Sequence, residues 1–165
     1  EEWIEAHVEE GRKVVVAAHH RDIVDEIANR FGGLKIQGGM SVQDVEEAKR
    51  RFQEEADPVI VLSIQAAKTG HTLTAAQDIL FVEQPWTPAD LSQTYSRLHR
   101  IGQQGSVTAT YMLTAGTVDE EIYDLLAEKR AVVDQATGGL ELEGGAPEST
   151  ASRIVENLLA SVIVA

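Results

Sequence analysis

The chain contains no cysteine, which removes a disulfide framework and any thiolate-ligated zinc site. No H-E-x-x-H or comparable histidine spacing occurs, so no metal site is expected from this sequence. Basic side chains are scarce: 14 Lys and Arg stand against 27 Asp and Glu, for a formal net charge of -13. Such a balance excludes the broad basic footprint of an independent nucleic-acid binder. No apolar run approaches the roughly 20 residues a membrane helix needs, so no membrane partner is expected. No G-x-x-x-x-G-K-[ST] phosphate loop, signal peptide, nucleophile elbow or Ser/His/Asp order is legible. The sequence opens on Glu1-Glu2 rather than Met, which suggests a piece of a longer protein.

What is present is unevenly placed. Residues 1–57 hold 8 basic against 14 acidic side chains, and residues 119–165 hold 3 against 10. Residues 58–118 carry three of each and are neutral. Any anion site must therefore be local, and the middle third is where to look for it.

Short β-branched runs alternate with amphipathic stretches, the pattern of an α/β fold with a mainly parallel central sheet flanked by helices. Strands are expected at Lys13–Ala18, Leu34–Ile36, Pro58–Ile64, Asp78–Pro85 and, half exposed, at Ser106–Leu113. Helices are expected at Asp22–Phe31, where Ile23, Ile27 and Phe31 recur at helical spacing, and from Val42 to Glu55 behind Ser41 and Asp44 in capping-box spacing. A third runs from Leu91 to about Arg100 after Thr87-Pro88, and a fourth from Thr117 to about Ala136. Residues 138–150 are glycine-rich and acidic and read as a linker; residues 151–165 read as a C-terminal helix.

Three stretches carry chemistry. In "QTYSRLHRIGQ", Gln93, Arg97 and Arg100 fall at i, i+4 and i+7, one stripe of a helix face. A guanidinium is always charged and can donate two parallel hydrogen bonds, which suits phosphate; a solvated helix face is the plainer reading of an isolated R-x-x-R. "LSIQAAKTGHTLTAA" follows a buried strand, and its small residues with Gly70 let backbone approach a ligand closely, although an ordinary strand-to-helix connection has the same composition. Trp86, between two prolines, is a core anchor or a stacking platform for a base, packing being preferred. His19 and His20 end the first strand, where loops of open α/β sheets bind ligands; His71 and His99 are isolated and read as hydrogen-bonded or packing residues.

In this order the segments resemble the second RecA-like lobe of a Swi/Snf-type superfamily 2 ATPase, over about Trp3 to Gln135. "QTYSRLHRIGQ" is similar to the family's motif VI, "VLSIQAAKTGHTLTAA" to motif V, "FVEQPWTP" to the D-x-x-W-N-P segment and "VVVAAHHRDIVDEI" to motif IV. "IQGGMSVQDVEEAKRRFQ" and "SVTATYMLTAGTVDEEIYDLLAEKR" resemble the stretch after motif IV and the closing strand and helix. The "AHH" and "SIQAA" variants lean toward the annealing-helicase branch. Three departures stand out. Ala67 and Lys68 replace two motif V glycines, Glu83 and Thr87 alter the D-x-x-W-N-P segment, and Val45 stands where the family usually carries an arginine.

The resemblance implies a RecA-like three-layer lobe at 1–137 that contributes half of an ATP site. Arg100 would be the arginine finger, Arg97 a second phosphate contact, and Gln93 a residue ordering them, with Gly70 beside the nucleotide. Ser63, Ala66, Ala67 and Lys68 of motif V, with His19, His20, Gly38 and Gly39, would face a double-stranded DNA backbone. ATP and Mg2+ would be held mainly by an N-terminal RecA-like lobe of the same parent chain, so this segment should be inactive alone. It implies a nuclear location in a eukaryote and a cytoplasmic, nucleoid-associated one in a prokaryote. Two other readings are an RNA-helicase second lobe and a non-catalytic RecA-like module that binds a protein partner.

Overall fold

The computed structural model describes residues 1–137. The expected linker at 138–150 and helix at 151–165 lie outside the described residues. Two compact units divide the chain: residues 1–83 with 93–112, and residues 84–92 with the segment from Leu113 onward.

The first unit is a five-stranded sheet in the order β2-β3-β1-β4-β5, formed by β1 (Val14–Ala18), β2 (Lys35–Ile36), β3 (Val59–Ser63), β4 (Asp78–Phe81) and β5 (Thr108–Tyr111). Every pairing is parallel, where the sequence called for a mainly parallel sheet. Central β1, β3 and β4 are buried throughout, because a parallel sheet hides both faces and its strands read as unbroken apolar runs. On one face Val14, Val16, Val59, Val61 and Leu80 pack with Ile4, Val24 and Ala28. The alternate residues Val15, Ala17, Ile60, Leu62, Ile79 and Phe81 are as deeply buried and point the other way by the period of two. β5 is partly exposed, as its alternation predicts, and Tyr111 stacks on Phe81 with ring centroids 5.1 Å apart.

Helices α1 (Glu2–Glu9), α2 (Arg21–Arg30) and α3 (Val42–Glu54) complete this unit. α1 was not foreseen: it is eight residues long and buries only Ile4, too little apolar signal to show as a periodic stripe. The buried line of α2 is Val24 and Ala28, with Ile23, Ile27 and Phe31 packed beside it. At α3 the Ser41 hydroxyl accepts the Asp44 amide at 3.1 Å, and the Asp44 carboxylate returns to the Ser41 hydroxyl at 2.7 Å. The reciprocal half of the expected capping box thus closes on a side chain rather than on a backbone amide.

α4 (Pro88–Tyr95) straddles the division between the units. It begins as expected, with Thr87 Oγ1 accepting the Asp90 amide at 3.1 Å, but stops five residues short of Arg100. The chain from Ser96 to Gly102 forms turns and bends instead. In the second unit Trp86 is 38% exposed, so packing does not absorb it fully. There α5 (Val118–Thr137) gathers Ile122, Leu125 and Leu126 into a small cluster. Its cap is shifted from the box expected: Glu120 takes the Gly116 amide at 3.0 Å, and Thr117 Oγ1 the Asp119 amide at 3.3 Å. Among the described residues no helix is long and apolar enough to cross a membrane.

Candidate functional site

In an all-parallel sheet the loops that bind ligands leave the carboxyl ends of the strands, where the strand order reverses. Here β1 sits between β3 and β4, so the loops after these three strands converge. The site residues expected from the sequence outside Gln93, Arg97 and Arg100 lie on the loops after β1, β2 and β3, except Ser63, which ends β3.

After β3, a short 3-10 turn, Ala66–Thr69, carries the chain out of the sheet. Ser63 Oγ accepts the Ala66 amide at 3.1 Å, so this hydroxyl serves the turn itself. Ser63, Ala66 and Ala67 are all buried, and the exposed edge of the segment is Lys68, Thr69 and Gly70. Gly70 ends the turn at φ 81°, a left-handed conformation that side chains with a Cβ adopt only at a cost. The Thr69 hydroxyl donates to the Ala66 carbonyl at 2.7 Å and lies 2.7 Å from His71 Nε2. Its single proton is thereby committed, which makes His71 Nε2 the donor and fixes the tautomer. Burial lowers the His71 pKa, and the positive charges of Lys49 and Arg97 push it the same way, so the ring is neutral near pH 7.

Arg97 and Arg100 meet this loop from the turn that follows α4. Leu73 donates its amide to the Arg97 carbonyl at 2.8 Å, joining the two segments. Arg97 is buried, at 9% exposure, and its Nε donates to the Gln93 carbonyl at 2.9 Å. Gln93 thus meets Arg97 through its backbone oxygen. Arg100 is exposed and donates through one nitrogen to the Gly70 carbonyl at 3.2 Å and the Thr72 hydroxyl at 2.9 Å. Among the described residues neither guanidinium is paired with a carboxylate. Burial and the neighbouring Arg100 charge both lower the Arg97 pKa, although a guanidinium stays charged at any physiological pH. A buried cation beside a second cation with no acid between them is unfavourable by itself, since neither the desolvation nor the like-charge repulsion is offset by an opposite charge.

The expected stripe on one continuous helix is thus replaced by a different geometry. Gln93 lies in α4, whereas Arg97 and Arg100 lie beyond its end, held by tertiary hydrogen bonds to the loop after β3.

The other expected residues fall into two neighbouring places. Gly38, Gly39, Ala66 and Gly70 line one cavity of about 570 Å³, together with Met40, Lys49 and His71. Arg21 donates to the Gly38 carbonyl at 2.9 Å, tying this cavity's rim to the start of α2. His19 and His20 precede that helix, and both amides donate to Glu83 Oε2, at 2.6 and 2.8 Å. Sequence reasoning assigned no role to Thr69 or Thr72, and Arg21 and Glu83 gain theirs through partners 17 to 64 residues away. No local pattern signals such pairings. His99 is exposed and stacks on Tyr95, centroids 5.7 Å apart. Among the described residues no group of three or more His, Asp or Glu is placed to hold a metal ion.

A model of the helicase conserved C-terminal domain family matches residues 1–102. The chain belongs to that family. This helicase C-terminal domain is 38% identical over 142 residues to the Xenopus tropicalis SWI/SNF-related matrix-associated actin-dependent regulator of chromatin subfamily A-like protein 1, covering 82% of the chain and 15% of that protein. The Drosophila melanogaster protein of the same name is 34% identical over 139 residues, 81% of the chain and 18% of its own length. Human DNA annealing helicase and endonuclease ZRANB3 is 35% identical over 133 residues, 77% of the chain and 12% of its own. The domain thus spans less than a fifth of the length of these relatives.

Among solved structures, the Sulfolobus solfataricus SWI2/SNF2 ATPase core in complex with dsDNA superposes with a TM-score of 0.62 at 27% identity, over 79% of this chain and 29% of that one. The C-terminal part of the Fun30 ATPase domain gives 0.69 at 24% identity, over 92% and 50%, a likeness of fold. These comparisons bear out the Swi/Snf-type, RecA-like reading of the motifs and its lean toward annealing helicases.

Proposed function

We propose that this domain is the second motor lobe of a DNA-dependent ATPase that translocates on double-stranded DNA, and that it completes an ATP site whose nucleotide is held mainly by another lobe. One observation carries the proposal. Arg97 and Arg100 stand together at the Gly70–Thr72 backbone, one of them buried, and neither has a carboxylate partner among the described residues. Such a pair fits the polyphosphate of a nucleotide, whose charge it would neutralise.

In this reading Arg100 reaches the terminal phosphate as an arginine finger, and Arg97, fixed from behind by the Gln93 carbonyl, makes a second phosphate contact. Gly70 admits the phosphate-side backbone without a Cβ in the way. ATP supplies the bond to be cleaved, with Mg2+ bound outside this domain. The domain's own part is positive charge placed in advance, and such a finger contributes about 10³–10⁵ in rate. Arg100 spends its hydrogen bonds on Gly70 and Thr72, weak neutral acceptors that a phosphate displaces.

The DNA-facing side is the rim formed by Gly38, Gly39, Lys68 and Gly70, with His19 and His20 next to it. Ser63, Ala66 and Ala67 shape that rim from beneath, because they are buried. Contacts of this kind go to phosphates and carry no sequence information, which suits movement along DNA. They are few and local, so the acidic total is no obstacle. The Sulfolobus core was solved in complex with double-stranded DNA, which supports the same partner here.

The deciding experiment uses the full-length protein that carries this domain. Arg100→Ala should abolish DNA-stimulated ATP hydrolysis, by about 10³-fold or more, and leave nucleotide binding within a few-fold. Hydrolysis that survives within tenfold would remove Arg100 from the finger role. The 165-residue chain alone should hydrolyse no ATP with or without DNA, and robust turnover by a pure sample would overturn the half-site reading.

A further inference from the structure

Arg97 and Arg100 lie beyond the end of α4. There the amides of Arg97, Leu98 and His99 still bond back to the Thr94 and Tyr95 carbonyls at 3.1–3.2 Å, but the Arg100 amide turns to Leu98. The local turn therefore needs a further tie to fix where it points. The side-chain amide of Gln103 is the group in position to do so. Its Nε2 donates to the Ala76 carbonyl at 2.7 Å and, at 3.3 Å each, to the carbonyls of Thr74 and Leu98. Its Oε1 accepts the amides of Gln104 at 2.9 Å and Gly105 at 3.2 Å. The backbone amide of Gln103 donates to the Arg100 carbonyl at 3.0 Å. The orientation of the amide follows from its partners: turned over, it would set an oxygen against three carbonyls and an NH₂ against two N–H groups.

These bonds join two segments that the sequence keeps apart. Leu98 lies between the two arginines. Thr74 and Ala76 lie on the stretch that runs from Thr72, an Arg100 acceptor, into β4. Gly102, at φ 105°, supplies the left-handed residue that turns the chain back after Arg100, and Gln103 then locks it. We propose that Gln103 is the positioning residue of the arginine pair: it clasps the Arg97–Arg100 turn to the Thr74–Ala76 backbone, so that both guanidinium groups are aimed before any anion arrives. It touches neither guanidinium and needs no contact with the nucleotide. The chemistry demands glutamine. Glutamate keeps the length and loses both donors, leaving a carboxylate facing three carbonyl oxygens. Methionine keeps the length and loses every side-chain hydrogen bond.

This inference rests on the finger reading above, and one set of variants separates the two. In the full-length protein, kcat and KM for ATP are measured at saturating double-stranded DNA for wild type, Arg100→Ala, Gln103→Glu and Gln103→Met. The melting of each variant is followed in the 165-residue chain. Preorganisation lost by about 1 Å costs on the order of 10²-fold in rate. Gln103→Glu and Gln103→Met should therefore lower kcat by about that factor, with KM for ATP within threefold of wild type and the domain still folded at the assay temperature. If Arg100→Ala is inactive while both Gln103 variants keep kcat within threefold, the positioning role is overturned and the finger reading stands. If Arg100→Ala remains active, the finger reading falls and this inference with it. If the loss of kcat in each variant merely follows its loss of folded protein, Gln103 is a structural residue and the proposal fails.

Discussion

The carboxylate of Glu83 closes on His20 through both of its oxygens: one accepts the His20 backbone amide at 2.8 Å, and the other meets ring Nδ1 at 2.5 Å. The first oxygen also takes the His19 amide at 2.6 Å. Glu83, on the loop after β4, thus accepts the amides of the two residues that lead into α2, of which His20 is the N-cap. A negative charge at a helix N-terminus meets amides that have no partner within the helix.

A pH dependence follows from the pair. The hydrogen bond that His20 donates to Glu83, with the charge of that carboxylate, raises the His20 pKa. Burial pulls the Glu83 pKa up but is outweighed by the amides and ring of His20 and the amide of His19, so the net shift is downward. The His20 contribution is full below its ordinary value of 6.5 and fades as pH rises through the raised one. The Glu83 contribution is full above its ordinary 4.5 and fades as pH falls through the lowered one. The melting temperature of wild type should therefore exceed that of Glu83→Gln most between those two ordinary values. Toward pH 9 the gap should narrow to what the amide bonds supply. Loss of the two charge-assisted amide bonds should cost about 1–2 kcal/mol. Melting curves of the 165-residue chain across pH check this, and a gap that widens above pH 8 would contradict it.

Ser41 supplies a local test of the same kind. Its hydroxyl caps α3, whose first turn lines the cavity through Val42 and Val45. Ser41→Ala should cost about 1 kcal/mol and Ser41→Gly a few tenths. A Ser41→Ala variant that melts with wild type would show that the cap contributes nothing.

Such local devices are what the sequence showed well. β1, β3 and β4 were legible because a strand buried on both faces reads as a short, nearly unbroken apolar run, and α3 because Ser41 and Asp44 announce its start. The motif residues Gln93, Arg97 and Arg100 do lie close together, Arg97 on the Gln93 carbonyl and Arg100 on the loop after β3. What misled was their spacing, since i, i+4, i+7 describes a helix only if the helix continues, and α4 ends at Tyr95. Past that point the Arg97 and Leu98 amides bond to the carbonyls three residues back, and the Arg97 carbonyl takes the Leu73 amide, a partner the local spacing does not record. Burial of Ser63 and Ala67 was equally hidden, because small residues suit a packed turn as well as a ligand surface. The Glu83 contact joins residues more than 60 positions apart, and nothing in the spacing of either end records it.

Gly70 tests the loop after β3. A Cβ placed there would lie 3.9 Å from an Arg97 nitrogen, an ordinary contact, so any penalty for Gly70→Ala comes from the left-handed backbone. That penalty is roughly 1–2 kcal/mol, a fall in melting temperature of about 2–8 °C for a chain of this size. Gly70→Asn should lose less, because asparagine tolerates this conformation better. If alanine melts as glycine does, the turn is free to relax, and Arg100 does not depend on the Gly70 carbonyl staying in place.

Arg97 gives the sharpest separation of stability from function. A buried guanidinium without an acidic partner is a liability to the folded domain alone, offset mainly by its hydrogen bond to the Gln93 carbonyl, a contribution of about 1 kcal/mol. Methionine keeps the length and apolar volume while removing the desolvated charge. Arg97→Met should therefore leave the melting temperature of the 165-residue chain within about 3 °C of wild type or raise it. Leu98→Ala, one residue on and fully buried, should cost about 2–5 kcal/mol and shows what ordinary packing is worth at this turn. In the full-length protein the order reverses: Arg97→Met should lose DNA-stimulated hydrolysis while remaining folded. A chain that Arg97→Met destabilises as much as Leu98→Ala does would mean that the arginine is there to hold the fold. The positive charge would then have no claim to be kept for an anion.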